Sequence, residues 1–374
     1  MFSKIRGNNQ TVLFRGNRFS DWPNITARGP IDSLSLSLKD SPDEMIEFIK
    51  KYHGKFIAGF ISYEFGARQI GVPVHRLTGA IPAVHFRAYN HFELLANSQL
   101  SNSSRSEPFN PIIQKEEYDK NFNKIQSYIK AGDFYQINYT HPLKSKTNLS
   151  ANDIFHYFRS KNKVGYTAFI EGDGWAIHSF SPEQFIKIKN GVVSTLPIKG
   201  TAPRGVTPDS DEKNLRELLH SEKEQAELYM IVDLLRNDLG KICTAGSVQV
   251  VKSKSIQKLE KVYHTYSVVQ GHIKQDIHPI EALLSMSPGG SISGCPKKRA
   301  CEIIHELEDY SRGVYTGTIG CILPDGTLQF NIAIRTVVQE GNELTLGVGG
   351  GITIDSNNND EYNESLAKAA SFQP

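Results

Sequence analysis

At 374 residues the chain is long enough to bury a large core, as two domains or one large one. Its 42 Lys plus Arg against 40 Asp plus Glu leave a net charge of +2, too balanced for a protein that binds nucleic acid by neutralising phosphates. The N-terminus lacks an apolar signal core and no run of 18 apolar residues occurs, so neither a membrane span nor export is expected, and a cytoplasmic location is.

In chain order, the first clear element is Phe56 to Glu64, a run that predicts a buried strand leading into a helix. The serine-rich stretch Asn97 to Ser106 lacks periodicity and reads as a linker. It divides a short N-terminal segment, residues 1–105, from residues 106–374. Apolar residues at Tyr118, Phe122, Ile125 and Ile129 predict a helix that stops at Gly132.

Leu196 to Gly205 holds Lys199 between a proline-led strand end and a glycine turn. A lysine so placed is either a surface residue beside a turn or, if desolvated, a nucleophile. Ser221 to Gly240 predicts the best-formed helix, with Ser221 and Glu224 as a capping box, Ala226, Met230 and Leu234 in one apolar row and Gly240 as the C-terminal cap. Glu227 lies in a row with Ile231 and Leu235, where a carboxylate needs solvent, a partner or a cation.

The glycine-rich stretch Ser287 to Gly294 approaches a helix with Pro296 in its first turn and Ile303, Ile304 and Leu307 on its buried side, an arrangement suited to an anion. The four cysteines, Cys243, Cys295, Cys301 and Cys321, contain no C-x-x-C pair and read as reduced packing residues, without zinc or disulfide. Residues 316 to 338 predict a hairpin turning at Pro324-Asp325-Gly326, its second strand placing Phe330, Ile332 and Ile334 on one face and Asn331, Ala333 and Arg335 on the other. A turn at Gly341-Asn342 leads to a strand ending in Gly347 to Gly351, either a ligand-approaching backbone or a glycine-weakened bulge. A last helix is expected from Asp360, as N-cap, to Ala370, with Glu361, Glu364 and Lys368 on one face.

Singly these features are weak; their order is specific. Gly132 to Asn138, Ser181 to Phe185, Pro197 to Gly205, Ala226 to Gly240, Pro288 to Ala300, Tyr315 to Gly320, Phe330 to Thr336 and Gly349 to Lys368 together resemble the chorismate-utilising enzyme family, most closely its aminodeoxychorismate synthase branch. The resemblance runs from Tyr118 to Lys368. It implies an α+β fold of the anthranilate synthase component I type: two facing, mostly antiparallel β-sheets flanked by helices as α/β/β/α layers. Residues 106–374 would form the chorismate-binding catalytic domain, with the N-terminal segment packed on it.

The resemblance also implies roles. Glu227 and Glu364, with Glu361 as a further ligand, would hold Mg2+, a hard ion that takes oxygen ligands and keeps water. Arg335 and Tyr315 would grip the enolpyruvyl carboxylate of chorismate, and Thr201, Gly290, Gly349, Gly350, Gly351 and Lys368 would complete the substrate cradle. Lys199 would attack C2 and Glu183 would act as general acid and base, with His264 near the leaving group. Gln136 occupies the place where relatives that add water carry a lysine base, and Lys199 the place where anthranilate synthases read alanine. The implied reaction joins chorismate and ammonia into 4-amino-4-deoxychorismate, on the way to 4-aminobenzoate. No glutaminase cysteine setting is visible, so the ammonia is expected from a separate glutamine amidotransferase partner, component II. No fused lyase domain is expected. The alternatives are anthranilate synthesis and a noncatalytic chorismate-binding subunit. Departures are the short N-terminal part, which leaves a tryptophan site in doubt, Ala202 where arginine is usual and Cys295 where alanine is usual.

Overall fold

The computed structural model describes residues 10–17, 20–95, 106–259 and 262–374. The expected linker at Asn97 to Ser106, and with it the division after residue 105, falls almost wholly outside them.

Among the described residues, two ten-stranded antiparallel sheets form the centre. In the first, Gln136–Lys146 lies beside Glu343–Ile352, followed by Thr336–Glu340, Trp175–Ser181, Tyr166–Glu171, Val12–Arg15 and Ile25–Ala27. In the second, Val262–His272 carries Ile198–Pro203 and Val192–Leu196 along one edge, and the sheet continues through Gln184–Lys189, Leu328–Ile332, Thr318–Ile322, Phe56–Ile61, Val84–Tyr89 and Asp32–Leu36. Strands from residues 12–94 therefore enter both sheets, so the N-terminal segment is woven into the core as well as packed against it.

Strand alternation sorts the side chains into layers. Phe56, Ala58 and Phe60 point between the sheets, where they meet Val12, Phe14, Ile170 and Ile177 of the first sheet. Ile57 and Ile61, on the opposite face, join Ile186, Phe330 and Ile332 under a helical layer that includes Leu228, Ile231, Leu283 and Ile303. On the far side of the first sheet, Phe169, Phe180 and Leu346 are covered by Ile154, Phe155 and Phe158 of the helix Ala151–Lys161. The order is helix, sheet, sheet, helix, as the expected α+β layers require.

The early strand Phe56–Ile61 runs into the helix Tyr63–Gln69, capped by Ser62, and the predicted helix Lys115–Ala131 ends on Gly132 at φ 84°. Four boundaries differ from sequence expectation. The helix Glu222–Ile242 continues through Gly240, which has no left-handed conformation there, to a cap at Cys243; its core row is Leu228, Ile231, Leu235 and Leu239, and Ala226 is exposed. Pro296 is the N-cap of the helix Lys297–Leu307, one residue before its first turn. The last helix spans Asn358–Ala367, because Asn357 accepts from the backbone N–H of Asn359 and Asp360 and so caps it earlier than Asp360 could.

The fourth difference matters most. The hairpin turning at Gly326 forms as expected, but its second strand ends at Ile332. Ala333 to Arg335 crosses between the sheets, and Thr336–Glu340 pairs in the first one. Arg335, at φ 50°, thus sits on the bend rather than on one face of a continuous strand. Alternation could not foresee this, since both Phe330 and Asn331 are fully buried.

Candidate functional site

Lys199 is placed by an irregularity of the sheet edge. Ile198 pairs with Tyr266 and Thr201 with His264, so three steps along one strand oppose two along the other, and Lys199 and Gly200 form a bulge. Gly200 takes φ 87°, and a Cβ there would lie 2.7 Å from Thr265 Oγ1. Only glycine fits that conformation without strain. Gly200→Ala is expected to destabilise the protein by roughly 1–3 kcal/mol and to displace Lys199, checked by urea unfolding together with turnover.

The bulge turns Lys199 inward, where its Nζ donates to Glu227 Oε2 at 2.6 Å. The carboxylate in the apolar row has its partner here. Glu183, 8% exposed, accepts a hydrogen bond from Ser291 Oγ at 2.8 Å. Burial pushes its carboxyl up to about 7, opposed by the Ser291 hydrogen bond and the nearby Lys199 charge. A carboxylic acid at that value can both give and take a proton near neutrality.

Thr201 and His264 face each other across the same strand pair, with Thr201 Oγ1 and His264 Nδ1 2.8 Å apart. Burial, reinforced by the charge of Arg335, holds the imidazole down at about 4, so His264 is neutral. The Arg335 carbonyl accepts from Phe180 N–H at 3.0 Å, whereas its guanidinium forms no hydrogen bond or ion pair with the described residues, which leaves its fork of donors to a ligand.

A second group gathers on the strand Glu343–Ile352. Its neighbour Thr336–Glu340 pairs no further than Leu346, so Gly347 to Gly351 are paired only with Gln136–Lys146. The Tyr315 ring lies on Gly347, where a Cβ would sit 2.2 Å from it. Lys368 Nζ donates to Gly349 O at 2.8 Å and pairs with Glu364 at 3.0 Å. Glu361 is buried, accepts from Ser356 Oγ at 2.6 Å, and holds Oε2 3.2 Å from where a Cβ on Gly350 would be. Gln136 packs its amide against Gly351. Gly290 packs against Leu234, opening the turn that carries Ser291.

Lys199, Glu227, Glu183, Thr201, His264 and Arg335 therefore form one wall, and Gly349, Gly350, Gly351, Glu361, Glu364 and Lys368 another. Among the described residues no three His, Cys, Asp or Glu side chains assemble into an all-protein metal cage. Magnesium does not need one, since it is commonly held by one or two carboxylates plus water and substrate. The expected donors are of the chemical type that ion takes, since all are carboxylates, and in this structure Glu227 and Glu364 each hold a lysine ammonium.

Sequence reasoning missed what joins the walls. Arg312 and Glu308, whose side chains are each 1% exposed, form a two-pronged pair at 2.7 and 2.6 Å. Arg312 also donates to Ile292 O, next to Ser291, and to Asn138 O, the register partner of Gly351. Glu308 accepts from Thr140, the partner of Gly349, and Glu64 accepts the backbone N–H of Arg312 and Gly313. The opposite charges four residues apart were a readable signal; their burial was not. A second buried pair, Asp238 with Lys297 at 2.6 Å, ties the helix of Glu227 to the one after Pro296.

The class defined by this fold and these walls agrees with comparison to known proteins. The family described as chorismate binding enzyme matches residues 22–374, and the chain belongs to that family. It is 40% identical over 250 residues to aminodeoxychorismate synthase component 1 of Bacillus subtilis (67% of this chain, 53% of the relative). It is also 40% identical over 257 residues to anthranilate synthase component 1 of Acetivibrio thermocellus (69% and 52%). The chain thus spans about half the length of these curated relatives. In fold it is similar to the crystal structure of anthranilate synthase component I from Streptococcus pneumoniae, with a TM-score of 0.80 at 24% identity over 100% of this chain and 93% of the other. Among the described residues no helix is long and apolar enough to cross a membrane.

Proposed function

We propose that the chain is the chorismate-processing component of aminodeoxychorismate synthase, acting in the cytoplasm on chorismate and on ammonia from a separate glutamine amidotransferase. The observation that carries this reading is the bulge that brings Lys199 against Glu227 and within electrostatic reach of Glu183. A nucleophile and an acid on one wall are what a covalent route requires.

Lys199 first gives its ammonium proton to water and then adds to C2 of chorismate through the free lone pair. The ring double bonds shift, the C4–O bond breaks, and Glu183 gives its proton to the departing hydroxyl, which leaves as water. Ammonia then adds at C4, the double bonds shift back, and the C2–N bond to Lys199 breaks. The Glu183 carboxylate takes a proton from the added nitrogen. Arg335 holds the enolpyruvyl carboxylate, Tyr315 packs beside it, and the open edge of Gly349 to Gly351 with Thr201, Gly290 and Lys368 orients the ring. Neutral His264 supplies a hydrogen-bonding edge without a competing charge. Glu227, Glu361 and Glu364 would hold magnesium, whose contribution is a Lewis-acid contact to the ring carboxylate.

The second reading is anthranilate synthesis, favoured by the 40% identical relative of that name. Incubation with chorismate, magnesium and ammonium separates the two. A product that keeps the enolpyruvyl group is expected; anthranilate with free pyruvate would sink the proposal.

A further inference from the structure

Glu183 owes its orientation to a residue outside the roles assigned so far. Ser291 sits in the short turn Gly290–Ile292, and its Oγ donates to Glu183 Oε1 at 2.8 Å. The turn is held from behind. Arg312 Nη1 donates to Ile292 O at 2.9 Å, Asn138 N–δ2 donates to the same oxygen at 3.1 Å, and Ser293 Oγ donates to Gly289 O at 2.8 Å. Ser291 is therefore presented to Glu183 on a fixed backbone. Glu183 is fixed on its own side, since its N–H donates to Ser181 Oγ and its carbonyl accepts from Ile332 N.

We propose that Ser291 is a positioning residue for proton transfer, one that selects which oxygen of Glu183 carries the transferable proton. The inference rests on the acid role proposed for Glu183. A carboxylic acid that accepts a hydrogen bond on one oxygen keeps its own proton on the other. With Oε1 occupied by Ser291, the proton resides on Oε2 and is the one given to the C4 hydroxyl. When it has gone, the Ser291 hydroxyl remains on the new carboxylate and stabilises its charge, a charge-assisted bond stronger than the neutral one before it. The same bond then relaxes as Glu183 takes a proton from the added nitrogen. The other groups that bear on Glu183 are the Lys199 ammonium, which favours its charged form, and the Tyr166 phenol, which stays neutral.

The test uses the whole chain with chorismate, magnesium and ammonium, comparing wild type, Ser291→Ala, Ser291→Thr and Glu183→Gln. Ser291→Ala is expected to lower kcat about 10- to 100-fold with KM for chorismate little changed. The high-pH limb of its activity should move to higher pH, because the charged form of Glu183 has lost a donor. Ser291→Thr, which keeps the hydroxyl, should restore both rate and limb. Glu183→Gln should lose the limb altogether. A Ser291→Ala enzyme with unchanged kcat and limb, while Glu183→Gln is inactive, overturns the role of Ser291 and leaves that of Glu183 standing. So does a rate loss that Ser291→Thr fails to recover. A Glu183→Gln enzyme that keeps wild-type rate and limb overturns both.

Discussion

Lys199→Ala is expected to lose at least about 10³-fold in the formation of 4-amino-4-deoxychorismate, with chorismate still bound. The residue removed is the proposed nucleophile, and no other amine among the described residues takes its place beside Glu183: Glu227 has Lys199 itself as its partner, and Glu183 is held by Ser291 in the proposed acid role. The substitution also deprives Glu227 of the one ammonium that pairs with it among the described residues, so binding must be measured separately from turnover. Equilibrium titration with chorismate should give an affinity within a few-fold of wild type, while turnover with saturating ammonium should fall to background. Arg335 and the glycine edge, which carry most of the proposed recognition, are untouched. Substantial turnover in Lys199→Ala would mean that ammonia adds directly, and the choice of reaction would pass to the anthranilate reading.

Arg312→Ala is expected to cost about 3–5 kcal/mol of stability, read as a lowered urea midpoint. The reason is what it leaves behind. Glu308, its side chain 1% exposed, would lose its two-pronged partner and keep only hydrogen bonds from Thr140, while the carbonyls of Ile292 and Asn138 would lose a donor. A buried charge without compensation is costly, whereas removing both charges is not. The double variant Arg312→Met with Glu308→Leu should therefore recover much of the loss in stability. Its activity should stay low, because the tie between the Ser291 turn and the strand facing Gly351 is not rebuilt. A loss below about 1 kcal/mol in Arg312→Ala would place this pair with ordinary solvent-exposed bridges and contradict its structural role.

Local signals read well where one element met one solvent boundary. The helix Lys115–Ala131 with its Gly132 cap, and the hairpin turn at Gly326, followed from apolar spacing and turn residues. The failures have a common physical source: the competing information was distant in sequence. Strand alternation mis-set Arg335 because the chain changes sheets at Ala333, and no local pattern marks a switch when both faces are buried. Gly240 looked like a cap, but the helix runs on to its cap at Cys243.

The candidate site was legible in its residue types but not in its contacts. Glu227 stood out as a carboxylate in an apolar row, yet its partner lies 28 residues away, reached only through the bulge at Gly200. Ser291 and Glu183 are separated by 108 residues and meet only because the glycine-rich turn folds back onto the second sheet. Lys199 itself gained most from the fold. Ten residues alone favour a surface lysine, and its paired, inward-facing position is a property of sheet register.

The most direct measurement of the central claim is intact-protein mass spectrometry after incubation with chorismate and magnesium in the absence of ammonia. An increase equal to chorismate less one water is expected on the wild-type chain, mapped by peptide digestion to Lys199, absent from Lys199→Ala and discharged when ammonium is added. An adduct that persists in Lys199→Ala, or a wild-type enzyme that turns over with ammonium but never carries an adduct, would contradict it.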